Sequence, residues 1–370
     1  MIRVSFVGCG GMAAHYLGVY RDLDWVRVVN CIDAVPEAAQ KAAAAIPGAV
    51  AATDYALALT GEIDAVIISS PNHLHRPQAV AAIEAGKHVL LQKPVAPNLA
   101  DAEAIAAAAA QSTRTVGLYM SYFDQPLIHD LRDMVRQGWL GDIVHGYARL
   151  MHKGGMMWSK EALNGNPNWR GSVEQTGGGC FIQLAVHYLH IFEWATGAKV
   201  IRASGFARNL HCPGLEGEDI AVGVFELDTG AMLTIDTAWC TNGEELSIHG
   251  TKGRFTYRDN KLAICSNAGE FHGRVARYTG GTVPQFGGEW GVEQQMEIHP
   301  PAFADITNPL NQHLQFLQSV RDGRKAPVSI ESGVRDMRIV TALYESTRSG
   351  RAVEITPNRD RKGAIPELSS

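Results

Sequence analysis

The chain has 370 residues, of which 46% are hydrophobic and 19% are charged, and its formal net charge is −5. This length favours about two domains with an ordinary buried core. The negative net charge and the lack of a basic stripe argue against a nucleic-acid partner. The sequence holds no run of about 18 uncharged apolar residues, so we predict no membrane span.

The six cysteines are scattered and form no CxxC pair, and the apolar start of the chain lacks the pattern of a signal peptide. Such cysteines are typical of reduced thiols in a reducing compartment. We therefore predict a cytoplasmic protein that uses neither structural zinc nor any other metal.

The first 121 residues alternate strand-like and helix-like patterns. Strands buried on both faces and joined by helices predict an α/β, doubly wound parallel sheet. The predicted strands are 2–8, 26–33, 64–70, 87–93 and 115–121. The predicted helices are 12–23, 34–46, 76–86 and 98–112.

From about residue 122 the pattern changes to longer strands with period-2 alternation, broken by DTG, TKG and RDN turns. This pattern is typical of hairpins in an antiparallel sheet. We predict a cofactor-binding domain at 1–121, a substrate-binding and oligomerisation domain at 122–355, and a polar tail at 356–370. Helices are predicted at 126–141, 310–324 and 332–350, strands at 142–151, 200–209, 218–239 and 244–266, and irregular segments at 151–170 and 273–301.

A glycine-rich motif, Gly8-x-Gly10-x-x-Ala13, follows the first strand and opens a helix. Glycines let the backbone approach a pyrophosphate, whose charge lies at the helix N-terminus. The second strand ends in Asp33, which can accept hydrogen bonds from ribose hydroxyls and repel a 2′-phosphate. Because no Arg or Lys follows directly, we predict NAD rather than NADP. A tight turn in an unrelated sheet, FAD and S-adenosylmethionine are the alternatives.

Lys93 ends the fourth predicted strand, in the segment HVLLQKPVA. Ligands of open α/β sheets bind outside the carboxyl ends of the strands, so this amine is predicted to lie near the nicotinamide. Desolvation and a positive nicotinamide ring both lower the pKa of an amine towards the value that a general acid/base needs. The alternative is a lysine that extends from the strand end into water.

At this point the chain resembles the Gfo/Idh/MocA family, the oxidoreductases similar to glucose–fructose oxidoreductase and inositol 2-dehydrogenase. The resemblance is carried, in chain order, by AVIISSPNHLHRPQAVAAIEAGKHVLLQKPVAPNLADAE, WLGDIVHGYARL, NWRGSVEQTGGGCFIQLAVHYLHIFEWATG, GTKGRF and the stretch from FLQSVRDGRKAPVS to YESTRSGR. It implies a Rossmann domain followed by an α/β domain with a large, open, mostly antiparallel sheet. It also implies substrate binding between the domains and a homodimer or homotetramer through the open sheet.

The resemblance further assigns roles to individual residues. Lys93 falls on the family's catalytic lysine, whose bond to Pro94 is typically cis, and His187 falls on its proton-transfer or substrate-orienting histidine. The predicted cofactor-binding residues are Gly8, Gly10, Gly11, Met12, Asp33, Ser70, Pro71, Asn72, His75, Gln92, Lys93, Trp169 and Arg170. The predicted substrate-binding residues are Lys93, Tyr122, His152, Arg170, Gln183 and His187.

Two residues depart from the family pattern. Gln92 stands where the family usually has glutamate, and Gln183 stands where it usually has aspartate. Without that aspartate His187 should stay mostly neutral near neutral pH, which favours Lys93 as the main proton-transfer residue. We predict a catalytic set of Lys93, His187 and Gln183 that oxidises a secondary alcohol of a sugar, sugar derivative or cyclitol, or reduces the matching ketone. The alternatives are a dehydrogenase of a non-sugar cyclic diol or hemiacetal, and a non-catalytic NAD-binding regulator.

Overall fold

The computed structural model describes residues 1–266, 292–297 and 301–355. The predicted tail at 356–370 lies outside the described residues, as do residues 273–291 and 298–300 of the predicted irregular segment 273–301. The described strands are β1 (Ile2–Val7), β2 (Val26–Ile32), β3 (Val50–Ala52), β4 (Ala65–Ile68), β5 (His88–Gln92), β6 (Val116–Tyr119), β7 (Ile143–Met151), β8 (Val200–Arg208), β9 (Ile220–Leu227), β10 (Met232–Ala238), β11 (Gly243–Gly250), β12 (Gly253–Arg258), β13 (Lys261–Ser266), β14 (Val292–Glu297) and β15 (Val353–Glu354).

In the described ranges the α-helices are fewer than the strands, and short 3-10 turns follow several strands. The described α-helices are α1 (Gly11–Arg21), α2 (Pro36–Ala44), α3 (His75–Glu84), α4 (Leu99–Gln111), α5 (Pro126–Arg136), α6 (Gly154–Leu163), α7 (Val173–Thr176), α8 (Val186–Thr196), α9 (Gln312–Arg321) and α10 (Ile330–Ser349). A π-helical turn, Phe181–Ala185, precedes α8. The 3-10 turns are Tyr55–Leu59, Asn72–Leu74, Ser121–Asp124 and Trp169–Gly171.

The chain folds into two compact units, and neither is a single continuous stretch. The first contains Met1–Pro126, Ser172–Gly178 and Pro300–Met337. The second contains Leu127–Gly171, Gly179–His299 and Arg338–Ser370. The predicted division after residue 121 lies close to the first boundary between the units, which follows Pro126. The sequence did not predict that two later segments also belong to the first unit.

The first unit is built on a six-stranded parallel sheet in the order β3-β2-β1-β4-β5-β6. This is the strand order of a dinucleotide-binding doubly wound fold, with its reversal point beside β1. Its central strands are buried except at Arg3 and His88, near their starts, because helices cover both faces. Val4, Phe6 and Ile67 belong to one apolar core with Tyr16 and Tyr20 of α1. The α/β class and the doubly wound sheet predicted from the sequence are confirmed.

Local signals explain where the helices of this unit begin and end. Pro36 stands at the first turn of α2, where the missing N–H costs no helical bond. The side chain of Asn98 accepts the N–H of Asp101 and caps α4, as its sequence predicts. Gly86 follows α3 with a φ of +72°, a left-handed conformation that ends the helix.

The second unit contains a nine-stranded sheet in the order β14-β13-β12-β11-β7-β10-β9-β8-β15. The pairing is antiparallel except between β7 and β10, so the prediction of a mostly antiparallel sheet is confirmed. One face of this sheet packs against α8 and α10. Gly146 lies against the ring of Phe192, and a Cβ at Gly205 or Gly223 would come within 3 Å of Leu343.

Two predictions of irregular structure are wrong. The segment 151–170 contains helix α6, because the run after Gly155 consists of good helix formers and Gly155 lets the helix approach Trp239 closely. In the segment 273–301, residues 292–297 form β14 by pairing with β13. The predicted strands also omit β3, a three-residue edge strand too short to show a pattern.

Candidate active site

The glycine loop after β1 has a backbone that only glycine fits at its first position. Gly8 is buried with a φ of +85°, and a Cβ there would lie 2.3 Å from the backbone nitrogen of Ser70. Its N–H donates to the carbonyl of Ile32 at 2.9 Å, which holds the loop against β2. The loop therefore lies close to the carboxyl ends of both β2 and β4.

The N-terminus of α1 has the features of an anion site. Gly10 occupies the N-cap and has no side chain to cap the helix, and the first turn holds no acidic residue. Gly10 and Gly11 are exposed, and a Cβ at either would meet no described atom within 4 Å. The first N–H groups of the helix thus fit a pyrophosphate, and the half-buried Met12 lies in the same turn.

Asp33 follows β2 with its carboxylate held by two backbone groups. The N–H of Cys9 donates to Oδ2 at 2.7 Å, and the N–H of Val35 donates to Oδ1 at 2.9 Å. Each oxygen keeps acceptor capacity because a carboxylate oxygen can accept more than one bond. The arrangement fits the two hydroxyls of a ribose at this strand end.

The segment after β4 is held to the segment after β5 by the buried ring of His75. Its Nδ1 lies 3.0 Å from the carbonyl oxygen of Pro94, and its Nε2 lies 3.0 Å from that of Ser70. Burial lowers the pKa of His75 to about 4, so the ring is neutral near pH 7 and donates to one of these carbonyls at a time. His75 therefore positions the backbone that carries Lys93.

Ser70, Pro71 and Asn72 form the turn that leads into α3. The hydroxyl of Ser70 donates to Oε1 of Gln78 at 2.5 Å. The buried amide of Asn72 donates to the carbonyl of Thr176 at 3.1 Å, which ties the segment Ser172–Gly178 to this turn. The side chain of Asn72 thus has a structural contact within the first unit.

Lys93 follows β5 directly and is half-buried. Its N–H donates to Oε1 of the buried Gln92 at 2.8 Å, and its bond to Pro94 is cis. A glutamine oxygen serves this bond as well as a glutamate oxygen, so the departure at Gln92 keeps the contact and removes a negative charge. Tyr122 lies half-buried in the turn after β6, in the same unit.

Gln183 and His187 belong to the second unit and are both buried. Gln183 lies in the π-helical turn and His187 in the first turn of α8, so the predicted single helix has a widened turn at this point. Gln183 and His187 therefore belong to a different unit from Lys93 and Asp33.

Glu218 is a residue of this region that the sequence prediction missed. Its carboxylate accepts the N–H groups of Gly179 and Phe181 and the hydroxyl of Tyr344, each at 2.8 Å. Burial raises the pKa of Glu218, while these three donors stabilise its charged form. Glu218 therefore fixes the start of the turn that carries Gln183. Nothing in its sequence position marks this role.

Trp169 and Arg170 belong to an aromatic cluster in the second unit. The guanidinium of Arg170 lies 4.5 Å from the ring centre of Trp169 and 5.1 Å from that of Trp158. Burial lowers the pKa of Arg170. The ring centre of His152 lies 5.9 Å from that of Trp158. Nδ1 of His152 accepts the N–H of Gly154, so a neutral ring carries its proton on Nε2. Trp158 was also missed, because the sequence prediction treated its segment as a loop.

Neither a metal site nor a membrane span is found in the described residues. No three histidine, cysteine, aspartate or glutamate side chains come together there as metal ligands. No helix in the same part of the chain combines the length and apolar sequence that a bilayer crossing requires.

Several curated proteins are similar to this chain over most of their length. The D-glucoside 3-dehydrogenase of Escherichia coli is 27% identical over 96% of this chain and 97% of its own. The D-apiose dehydrogenase of Paraburkholderia graminis is 24% identical over 99% and 93%. The scyllo-inositol 2-dehydrogenase (NADP+) of Bacillus subtilis is 24% identical over 79% and 78%.

Solved structures show the same fold. A levoglucosan dehydrogenase in complex with NADH superimposes with a TM-score of 0.80 at 18% identity, over 96% of this chain and 99% of its own. Residues 2–120 match the family model described as "Oxidoreductase family, NAD-binding Rossmann fold". Residues 132–355 match the one described as "Oxidoreductase family, C-terminal alpha/beta domain". The chain therefore belongs to the Gfo/Idh/MocA oxidoreductase family and carries both of its domains.

Proposed function

We propose that the protein is an NAD-dependent dehydrogenase or reductase that acts on a secondary alcohol, or the matching ketone, of a sugar, sugar derivative or cyclitol. The observation that carries this proposal is the position of Lys93 at the carboxyl end of β5, the edge of the parallel sheet that also bears Gly8 and Asp33. The relatives named for a glucoside, an apiose and an inositol support the substrate class.

The cofactor supplies a hydride acceptor as NAD+ or a hydride donor as NADH. We assign the pyrophosphate to Gly8, Gly10, Gly11 and Met12, and the ribose to Asp33. The negative charge of Asp33 opposes the 2′-phosphate of NADP, which favours NAD. The turn Ser70–Asn72, Gln92, His75, Trp169 and Arg170 complete the proposed cofactor contacts, with His75 acting through the backbone that it holds.

In this proposal Lys93 takes the hydroxyl proton when the alcohol is oxidised and returns it when the ketone is reduced. Its position is fixed by the Gln92 contact at its backbone nitrogen and by the His75 contact at the next carbonyl. Gln183 and His187 hold substrate hydroxyls. Tyr122, His152 and Arg170 are further substrate contacts, with the Nε2 proton of a neutral His152 as a donor.

The protein is further proposed to form a homodimer or homotetramer through the open face of the nine-stranded sheet. On β8, β9 and β10 this face carries an exposed apolar patch, which we call the β8–β10 patch, formed by Phe206, Val222, Val224 and Met232. Phe206 pairs with Val222 across the strands, so these side chains lie on one face. Exposed apolar side chains grouped on one sheet face are typical of association sites. The cytoplasmic location stays a prediction.

The experiment that tests the function compares Lys93→Met with the wild-type protein on a panel of sugars, cyclitols and non-sugar cyclic diols. Loss of the proton-transfer group should lower turnover by about 10²–10⁴-fold, while NADH binding measured by fluorescence stays within a few-fold. Lys41→Met, on the exposed surface of α2, is the control and should leave turnover unchanged. Normal turnover in Lys93→Met would contradict the assigned role, and turnover restricted to the non-sugar diols would contradict the substrate class.

A further inference from the structure

The positive charge of Arg170 is held against aromatic rings in the second unit. Its guanidinium carbon lies 4.5 Å from the ring centre of Trp169 and 5.1 Å from that of Trp158. The ring of Trp158 stands nearly perpendicular to the buried ring of Trp239, with 5.1 Å between their centres. A cation–π contact needs none of the five N–H donors of a guanidinium, so these donors can serve a hydrogen-bond acceptor at the same time.

The backbone that carries Arg170 is fixed on both sides. The N–H of Arg170 donates to Oδ1 of Asn168 at 3.1 Å, and the N–H of Gly171 donates to the carbonyl of Asn168 at 2.9 Å. The carbonyl of Gly171 in turn accepts the N–H of Glu216 at 2.9 Å, which joins this turn to a segment more than 40 residues later. The turn is thus formed before any ligand binds, which lowers the conformational entropy lost on binding.

Among the described residues, no carboxylate balances the charge of Arg170. No oxygen in these residues accepts a hydrogen bond from its guanidinium, and no Asp or Glu forms an ion pair with it. Arg149 of the same unit differs, because it lies 5.5 Å from the ring centre of Tyr147 and also pairs with Asp236 at 2.9 Å. Burial lowers the pKa of Arg170, so its charge is partly desolvated. A partly desolvated charge is costly without a counter-charge, which a ligand can supply.

We propose that the substrate carries a carboxylate group and that the guanidinium of Arg170 binds it, so that the protein acts on a sugar acid. This inference rests on the proposed function and narrows its substrate class. Of the two contacts proposed for Arg170, it assigns the guanidinium to the substrate. Arg170 belongs to the same unit as Gln183 and His187, which are proposed to hold the substrate hydroxyls.

The chemistry of the guanidinium favours a carboxylate over other anions. Its planar fork matches the two oxygens of a carboxylate and can form two parallel hydrogen bonds with them. The single negative charge of a carboxylate equals the charge of one guanidinium, whereas a phosphate monoester carries about −1.5 to −2 near neutral pH. A neutral sugar would leave the charge of Arg170 without a partner, so this residue should also select against neutral substrates.

The test compares sugar acids with their neutral amides. The full-length protein is assayed with NAD on hexuronates, hexonates and pentonates, each beside its amide, the corresponding neutral sugar and a sugar phosphate. We expect kcat/KM for at least one acid to exceed that for its amide by about 10–10²-fold, because the amide lacks the charged hydrogen bonds. Calorimetry with bound NADH measures the affinities of acid and amide without requiring turnover.

Variants assign the preference to Arg170. Arg170→Gln removes the charge and should lower kcat/KM for the acid by about 10–10²-fold, with a much smaller change for the amide. Arg170→Lys keeps the charge without the planar fork, so it should retain part of the preference, and it serves if Arg170→Gln does not fold. Arg136→Gln, at an exposed arginine of α5 in the same unit, should behave like the wild type. NADH affinity measured by fluorescence should stay within a few-fold in all three variants.

The outcomes separate this inference from the proposed function. Equal values for every acid and its amide, or a preference for a sugar phosphate, would overturn the carboxylate site, while turnover of neutral sugars would still support the proposed function. An unchanged preference in Arg170→Gln would also overturn it, and a loss of NADH affinity in that variant would then assign the guanidinium to the coenzyme. If acids bind through Arg170 but no compound of the panel is turned over, the carboxylate site stands and the proposed dehydrogenase activity does not.

Discussion

The carboxylate of Asp33 is held in one orientation, and the residues that follow it are exposed. Its two oxygens are held by the N–H groups of Cys9 and Val35, and the neighbouring Ala34 and Val35 are exposed and carry no charge. A carboxylate that cannot turn away repels a phosphate placed on the ribose that it binds. The coenzyme preference should therefore depend on this one charge.

Asp33→Ser is expected to narrow the preference for NAD over NADP. Serine keeps an acceptor for a ribose hydroxyl and removes the charge. The dissociation constant for NADP divided by that for NAD should therefore fall by about tenfold, or about 1.4 kcal/mol. Calorimetry with both coenzymes measures this ratio. Asp24→Ser, an exposed residue before β2, is the control. An unchanged ratio would show that Asp33 does not contact the ribose.

At this scale the sequence predicts residues whose role follows from their own chemistry. Gly8 and Asp33 are recognised because a tight turn and an acidic strand end have a known spacing. The partners of other residues are not readable in this way. Asn72 donates to Thr176, which is 104 residues away, and Glu218 accepts from Gly179, Phe181 and Tyr344. Such contacts exist only after the fold has brought the segments together.

Among the elements, those with a long apolar pattern are predicted correctly and those formed by pairing are not. The strands β1, β2, β4 and β5 are rich in apolar residues, and in the first unit Pro36 at the start of α2 and Asn98 before α4 mark where those helices begin. The residues of β14, VEQQME, form a strand because they pair with β13. The π-helical turn before α8 likewise has no local signal in its sequence.

The turn after β6 contains a buried carboxyl group, that of Asp124, whose charged form is disfavoured by burial. Asp124, after β6, accepts the N–H of Gln312 on Oδ1 and the hydroxyl of Tyr119 on Oδ2, and its carbonyl accepts the amide of Asn308. Burial raises the pKa of Asp124 to about 7, although the hydrogen bonds from Gln312 and Tyr119 favour the charged form. The turn thus holds a carboxyl group that is protonated in the folded state at mildly acidic pH.

The sign of the pH effect follows from proton counting. Between the ordinary pKa of an aspartate and about 7, the folded state binds more protons at Asp124 than the unfolded state, so this group's contribution to stability falls as pH rises. The buried His75 and His313 act in the opposite direction. Burial lowers their pKa values to about 4 and about 3, so their contribution falls as pH decreases below the ordinary histidine value.

Asp124→Asn isolates the carboxyl term because asparagine is neutral at every pH. Its oxygen can accept from Gln312 and its amide can donate to the Tyr119 oxygen. The free energy of unfolding of the variant minus that of the wild type should therefore be roughly 2 kcal/mol larger at about pH 8 than at about pH 5. Urea unfolding at both pH values measures the difference, with the exposed Asp142→Asn as control. A gain that is equal at both pH values would exclude titration of Asp124 as its cause.

For the whole molecule, the division of the chain depends on contacts between distant segments. The hydroxyl of Tyr20 lies 2.7 Å from Nδ1 of His313, which is 293 residues away, and this contact helps to place α9 in the first unit. A linear division at residue 121 assigns α9 to the second domain, since no property of its sequence indicates which sheet it covers. The composition of a segment predicts a helix but not its partner.

Association of the protein should depend on the β8–β10 patch. Phe206 is 67% exposed, and Val222, Val224 and Met232 extend the apolar surface along one sheet face. A stable interface buries about 800 Å² per partner, with apolar side chains at its centre. A charge at position 206 should therefore destabilise an assembly through this face and leave a free chain unaffected.

The wild type is expected to sediment as a dimer or tetramer. Phe206→Glu should sediment as a smaller species at the same concentration, with unchanged NADH binding. Leu163→Glu is the matched control, because Leu163 is 66% exposed on α6 and lies outside the patch. A monomeric wild type, or equal behaviour of the two variants, would exclude this face as the interface.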